Sequence, residues 1–255
     1  MAALKELSES PQGIELSVLS RRLGIPKSSA YYILETLLEG RFVEKDANGL
    51  YRVGPAAFLV GTGYLRNQSV TALFHQVAKE IVAACGETVQ LAVLNGRQIV
   101  YIAKEEGTQP VRLVSEVGQS LPAHTTALGK VLLACLPSDR VDALFPPDSS
   151  LEGMTERSIT SVSVLCQELR LVRERGYAHD FEETAEGLQC FAAPILAEGG
   201  KVIASMSVAA PSSRVDPQRK ASLLSLIRKG AANLSRSLGC PPEIVERALR
   251  LEGGG

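Results

Sequence analysis

Long apolar runs are missing from this 255-residue chain: none reaches the roughly 18 residues a membrane span needs. The N-terminus also lacks a basic start followed by an apolar stretch, so no membrane segment is expected and a cytoplasmic location is. Cysteine is sparse. Cys85, Cys135, Cys166, Cys190 and Cys240 form no C-x-x-C pair, and their spacing suits neither a zinc finger nor a disulfide framework. They are expected to be mostly small buried hydrophobes in a reducing compartment. Histidine is scarcer still, with only His75, His124 and His179. Asp180, Glu182, Glu183 and Cys190 are their candidate companions for a metal. The adjacent His179 and Asp180 point to opposite faces if both lie on a strand, so one zinc site could use only part of this set. No G-x-S-x-G elbow, S-x-x-K or H-E-x-x-H occurs. An enzyme reading would rest on His124, Asp180 and Cys190 as base, orienter and nucleophile, because triads are set by geometry and not order. Neither an enzyme, nor a cofactor, nor a metal is the expectation.

Net charge is lacking too. The formal value is −1, so the chain as a whole is no polyanion binder. With 45% hydrophobic and 22% charged residues, the composition is that of an average globular protein, long enough for two ordinary domains or one large one. Residues 1–55 balance at zero, seven bases against seven acids, but from Leu16 to Leu34 there are three bases and no acid. A local stripe of that kind can hold phosphate even in a neutral domain.

That stripe lies in "LSRRLGIPKSSAYYILETLLEG". Ala30, Ile33, Leu34, Leu37 and Leu38 recur at helical spacing, predicting a helix that starts near Pro26 and stops at Gly40. The opposite face carries Ser28, Ser29, Tyr32, Glu35, Thr36 and Glu39, with Tyr31 to one side. Upstream, "LSVLSRRLG" predicts a shorter helix with Ser17 as its cap and Leu16, Leu19 and Leu23 inward. Gly24 makes the turn, giving the helix-turn-helix pattern. "RFVEKDANGLYRVG" then reads as two strands about Asn48-Gly49, a strong hairpin signal. Helix, turn, helix and hairpin together predict a winged helix.

The rest of the chain predicts an α+β domain. Val70, Leu73, Phe74, Val77 and Ile81 mark a helix over 69–85. "TVQLAVLNGRQIVYIAKEE" reads as a hairpin at Asn95-Gly96, and "LQCFAAPILAEGGKVIASMSVAA" as another at Gly199-Gly200. Helices are predicted in 125–136 and 163–175, with no βαβ rhythm throughout. Thr125 or Thr126 would cap the first of these. That would leave the amides of Ala127, Leu128 and Gly129 free for a carboxylate, aided by the helix dipole. Gly61-x-Gly63 has neither a preceding strand nor a third glycine, so no nucleotide loop is expected.

With these pieces in order, the chain resembles the IclR family of bacterial transcription regulators from about Ala3 to Gly239. The resemblance is carried by the winged-helix segment, by "LPAHTTALGKVLLA", and by "RGYAHDFEETAEGLQCFAAPI". The last is similar to a family signature, G-Y-x-x-D-x-E-E followed by G-x-x-C-x-A-A-P. The resemblance implies a winged helix-turn-helix over 1–54, a linker helix over 55–68 and a GAF-like effector-binding and oligomerisation domain over 69–240. An extension and tail over 241–255 lie beyond the family's usual end. It also implies a homodimer or homotetramer, operator DNA, and a small effector such as a carboxylate or aromatic acid. Residue by residue, Ala127 and Leu128 match the backbone-amide cradle, and Asp180, Cys190 and Ser207 match polar contacts to effector. Ala209, where some members have a second serine, and the large Leu128 depart from the pattern and point to a more apolar ligand. On the DNA side, Ser28, Ser29 and Tyr32 are expected at base edges. Arg21, Arg22, Lys27 and Arg52 are expected on phosphates, with Tyr31 doing either or packing. A sensor that assembles but has lost DNA binding is the remaining alternative.

Overall fold

The computed structural model describes residues 1–66, 70–108 and 115–250, without the side chains of 62–66. It separates into two compact units, Met1–Gln68 and Ser69–Gly255.

In the first unit, α1 (Ala2–Ser8), α2 (Leu16–Leu23) and α3 (Lys27–Glu39) precede the antiparallel pair β1 (Val43–Lys45) and β2 (Tyr51–Val53), and α4 (Pro55–Arg66) follows. Its core is Leu7, Ile14, Leu19, Leu34, Val43 and Tyr51, so every element before α4 contributes to one cluster. Gly24 closes α2 in the left-handed region at φ 64, the turn the sequence predicts. Asp46 shapes the wing turn by accepting from the amides of Asn48 and Leu50 at 2.9 and 3.0 Å. Two details differ from expectation. The cap of α2 is Glu15, and Ser17 lies inside the helix, donating to the Glu15 carboxylate at 3.2 Å. Gly40 ends α3 as expected, in a right-handed conformation, and Arg41 takes the left-handed turn at φ 54. Ile33, at the edge of the apolar stripe, is 39% exposed, because α3 meets its neighbours through the narrower row of Ala30, Leu34, Leu37 and Leu38. Helix α1 was not anticipated: seven residues without a side-chain cap give too little periodicity.

The second unit opens with α5 (Val70–Cys85) and the hairpin β3 (Thr88–Asn95) and β4 (Gln98–Glu105). Then follow β5 (Ser120–Pro122), α6 (Ala127–Ala134), α7 (Ser138–Leu144), α8 (Val162–Arg175) and β6 (Ala178–Phe181). The hairpin β7 (Leu188–Leu196) and β8 (Val202–Pro211) leads into α9 (Pro217–Ser237) and α10 (Pro242–Leu249). Six strands make one antiparallel sheet in the order β5-β4-β3-β8-β7-β6. Strand alternation divides its residues. Met206 meets Gly230 of α9 on one face, while Ser205 bonds the Leu128 carbonyl of α6 on the other at 2.9 Å. Helices α6 and α8 share a core with Ala92, Ala178 and Ala192 on that second face.

Helix α7, again seven residues, is an addition to the sequence reading, and the extension beyond Cys240 forms α10. Only Cys85 and Cys240 are fully buried. Cys166 and Cys190 are half-buried and Cys135 is exposed, so burial holds for fewer thiols than expected. The last five residues of the expected extension and tail, 251–255, and the last two residues of the expected linker, Asn67 and Gln68, lie outside the described residues. No helix among the described residues is long and apolar enough to cross a membrane.

Candidate effector cavity and nucleic-acid interface

The register of three strands sets one row of side chains side by side. Asp180 on β6 pairs with Cys190 on β7, and Cys190 pairs with Ala209 on β8. In the neighbouring row Gln90 on β3 pairs with Ser207 on β8. These residues and the first turn of α6 line a cavity of about 450 Å³, within the range of about 300–1,000 Å³ common for small-ligand sites. Small side chains at 190, 207 and 209 leave the space that larger residues would fill.

Ala127, Leu128, Asp180, Cys190 and Ser207 all line this cavity. Gly129 does not, which corrects the expectation of three free amides. Its N–H donates to the Thr126 hydroxyl at 3.0 Å, the N-cap bond of α6. A side chain at Gly129 would run into the Ala123 backbone, so its glycine serves close packing and not ligand approach. The amides of Ala127 and Leu128 precede the one Thr126 takes, and they have no acceptor among the described residues. They stay available to an oxygen.

Asp180 is 1% exposed. Its Oδ1 accepts from the Glu183 amide at 2.7 Å and its Oδ2 from the Thr184 hydroxyl at 2.7 Å. Burial raises its pKa, opposed by those hydrogen bonds and by Lys130. Burial also pushes the Cys190 thiol well up, and the nearby Asp180 adds to this. That is the reverse of what a nucleophilic cysteine needs. His124 is engaged elsewhere: its Nε2 lies 2.9 Å from the Glu152 carbonyl and its ring meets Phe145 edge-on at 6.1 Å. Nor do three or more His, Cys, Asp or Glu side chains group as a metal site among the described residues.

Sequence reasoning missed several cavity residues. Gln90 and Tyr101 project from β3 and β4, and Met154 and the 184–188 segment close other sides. Ser207 donates to the Gln90 carbonyl oxygen at 3.5 Å, and the Gln90 amide nitrogen donates to Ser115. The signal for Gln90 was a polar residue at an alternating position in an apolar strand. Among the described residues no lysine, arginine or histidine lines the cavity, and the carboxylates that do are Asp180 and Glu186. Among the described residues, electropositive character comes from the α6 amides. Beneath the cavity the fully buried Lys130 donates to Glu183 Oε1 at 2.5 Å and to the His179 carbonyl at 2.6 Å.

In the first unit, all eight expected DNA-facing residues are exposed. Tyr32, at 71%, projects furthest among the aromatics of α3 and meets Tyr31 edge-to-face. Arg21 and Lys27 carry no ion pair among the described residues, whereas Arg22 lies 3.6 Å from Glu6 and Arg52 3.1 Å from Asp46. Both pairs are exposed, and such pairs contribute only about 0–1 kcal/mol. Their guanidinium groups can exchange a carboxylate for a phosphate at little cost.

Residues 62–236 match the bacterial transcriptional regulator IclR C-terminal domain, and residues 1–47 match the IclR helix-turn-helix domain. The chain belongs to the IclR family of transcriptional regulators. A similar protein is the HTH-type transcriptional repressor AllR of Klebsiella pneumoniae, 33% identical over 245 residues, covering 95% of this chain and 89% of that one. Among solved structures, a putative IclR transcriptional regulator from Silicibacter sp. TM1040 aligns with a TM-score of 0.84 at 27% identity, covering 94% and 97% of the two chains. An IclR homologue from Microbacterium hydrocarbonoxydans, solved with 4-hydroxybenzoate, shares the fold at a TM-score of 0.76 and 20% identity, covering 93% and 98%. As an IclR-family member the chain is a DNA-binding transcription regulator with an effector-binding domain. The α+β architecture read from the sequence is that of these relatives.

Proposed function

We propose that this regulator binds a small organic acid or aromatic metabolite in the cavity at the start of α6, and that binding changes its hold on operator DNA. The observation that carries this reading is the pairing of two acceptor-free amides, Ala127 and Leu128, with the polar side chains of Asp180, Ser207 and Gln90 on the strands across the cavity. An acidic oxygen of the ligand lies at the amides. Its hydroxyl or N–H groups face Asp180, Ser207 and Gln90, and its apolar body lies against Leu128, Ala209 and Cys190. The protein is a repressor, as its AllR relatives are named, works in the cytoplasm without cofactor or metal, and is not an enzyme.

DNA is read by the winged helix of residues 1–54. Ser28, Ser29 and Tyr32 face base edges while Arg21, Arg22, Lys27 and Arg52 hold phosphates, with Tyr31 at the margin. Residues 55–68 link it to the effector and oligomerisation domain of residues 69–240, and residues 241–255 extend that domain. A homodimer or homotetramer doubles the short site that one helix can read. Effector acts by binding one arrangement of the assembled protein more tightly than another.

The test is fluorescence anisotropy on DNA from the chain's own upstream region, against scrambled DNA at the same salt. Small carboxylates and aromatic acids, 4-hydroxybenzoate among them, are added in turn. Specific binding altered by one compound supports the reading and names the ligand class. Equal affinity for operator and scrambled DNA would leave a sensor that no longer reads sequence.

A further inference from the structure

Helix α10 covers a second and larger cavity, of about 630 Å³, on the far side of α6 from its capped first turn. Val131 and Ala134 of α6, Leu196 and Val202 of the β7–β8 hairpin, and Ile244 and Ala248 of α10 give it apolar walls. Two glycines frame it. Gly176, left-handed at φ 75, leaves room for no side chain: a Cβ there would lie 2.7 Å from the Ala248 carbonyl. A Cβ on Gly200 would meet Ile244 at 2.9 Å. The end of α10 is tied down by Arg228, which donates to the carbonyls of Leu249 and Arg250, and Arg250 itself donates to the Glu174 carbonyl at 3.1 Å. The helix is thus seated at both ends, with a hollow between the seats.

Charge around this hollow is one-sided. Among the described residues Arg173, Arg247 and Arg250 line it, and Glu243 is the carboxylate that does so. Among the described residues Arg173 and Arg250 bond backbone carbonyls and no carboxylate. Arg247, exposed at the rim, has no hydrogen-bond or ion-pair partner among the described residues. Apolar walls with an excess of guanidinium at the rim fit an amphipathic monoanion, its chain inside and its head at the mouth. The geometry points to a second ligand site under α10, separate from the effector cavity, that takes a medium-chain carboxylate with its head on Arg247.

Hexanoate, octanoate and decanoate, with octan-1-ol as the uncharged counterpart, are titrated into the full-length protein by calorimetry. One molecule per chain is expected, with affinity rising roughly four-fold per added methylene. Arg247→Gln, on the surface, should weaken octanoate roughly ten-fold and leave octan-1-ol unchanged. Ala248→Phe should fill the site and abolish binding, whereas Ala209→Phe, which fills the effector cavity, should not. Octanoate lost in Ala209→Phe but retained by Ala248→Phe would put the ligand in the effector cavity and overturn the proposal. No binding below millimolar concentration would overturn it as well. So would self-association that Arg247→Gln abolishes, since a second copy would then be the occupant.

Discussion

Lys130 and Glu183 form an ion pair of 2.5 Å in which the lysine is 1% exposed and the glutamate 8%. The pair ties α6, which carries the Ala127–Leu128 amides, to the segment after β6 that closes the effector cavity. Burial raises the Glu183 pKa, and Lys130 works against that rise. Its second oxygen, Oε2, finds no hydrogen-bond partner among the described residues. Lys130→Met leaves a buried carboxylate alone and should cost about 3–5 kcal/mol in denaturant unfolding. Adding Glu183→Gln should recover much of the loss. A single variant as stable as the parent would show that the pair contributes nothing.

His179 makes stability fall in acid. Its ring is stacked on Phe191 at 4.5 Å and bonded to Gln189 at 3.0 Å, and burial lowers its pKa from 6.5 to about 4. Between those values the unfolded chain takes up a proton that the folded one refuses. The contribution is therefore complete above pH 6.5 and lost as pH falls toward 4. The raised carboxyls of Asp180 and Glu183 act with the opposite sign, so the parent alone does not isolate the effect. The difference between parent and His179→Gln, followed by urea unfolding from pH 7 to pH 4, does. Parallel curves would remove the histidine from the account.

Lys27 and Tyr32 should separate affinity from sequence preference. Lys27→Ala is expected to weaken operator and scrambled DNA alike and to reduce the salt slope by about 0.9. Tyr32→Ala should weaken the operator by about 1–3 kcal/mol and leave scrambled DNA nearly unaffected. Salt titrations of both variants on both DNAs check this. An unchanged slope for Lys27→Ala would take it off the phosphate backbone.

Ala209→Phe places a ring in the row between Cys190 and Thr88. Effector response should be lost while operator affinity in the absence of effector stays within two-fold of the parent, roughly 0.4 kcal/mol. A normal response from this variant would show that the effector binds elsewhere.

Much of this was legible locally. Periodicity located α3 and α5, and Asn48-Gly49 and Asn95-Gly96 located two hairpins, because these signals act within a few residues. The family pattern brought Asp180, Cys190 and Ser207 to one cavity wall. What escaped depends on distant partners. Gln90 acquires its place from Ser207, 117 residues away. Lys130 reads as a surface lysine until Glu183, 53 residues on, is brought beneath it. Gly129 reads as an open amide because the sequence does not say which threonine caps α6. Helices α1 and α7 were too short to show a stripe.

The alternation of the central strands has an evolutionary consequence. Val89, Leu91, Phe191, Met206 and Val208 hold up the buried foundation, while their immediate neighbours Gln90, Cys190, Ser207 and Ala209 face the cavity. Each cavity-facing position is thus flanked by anchoring ones and can change identity without loosening them. If the cavity takes the effector as proposed, a lineage can acquire taste for a new metabolite by editing four side chains, with the scaffold inherited intact.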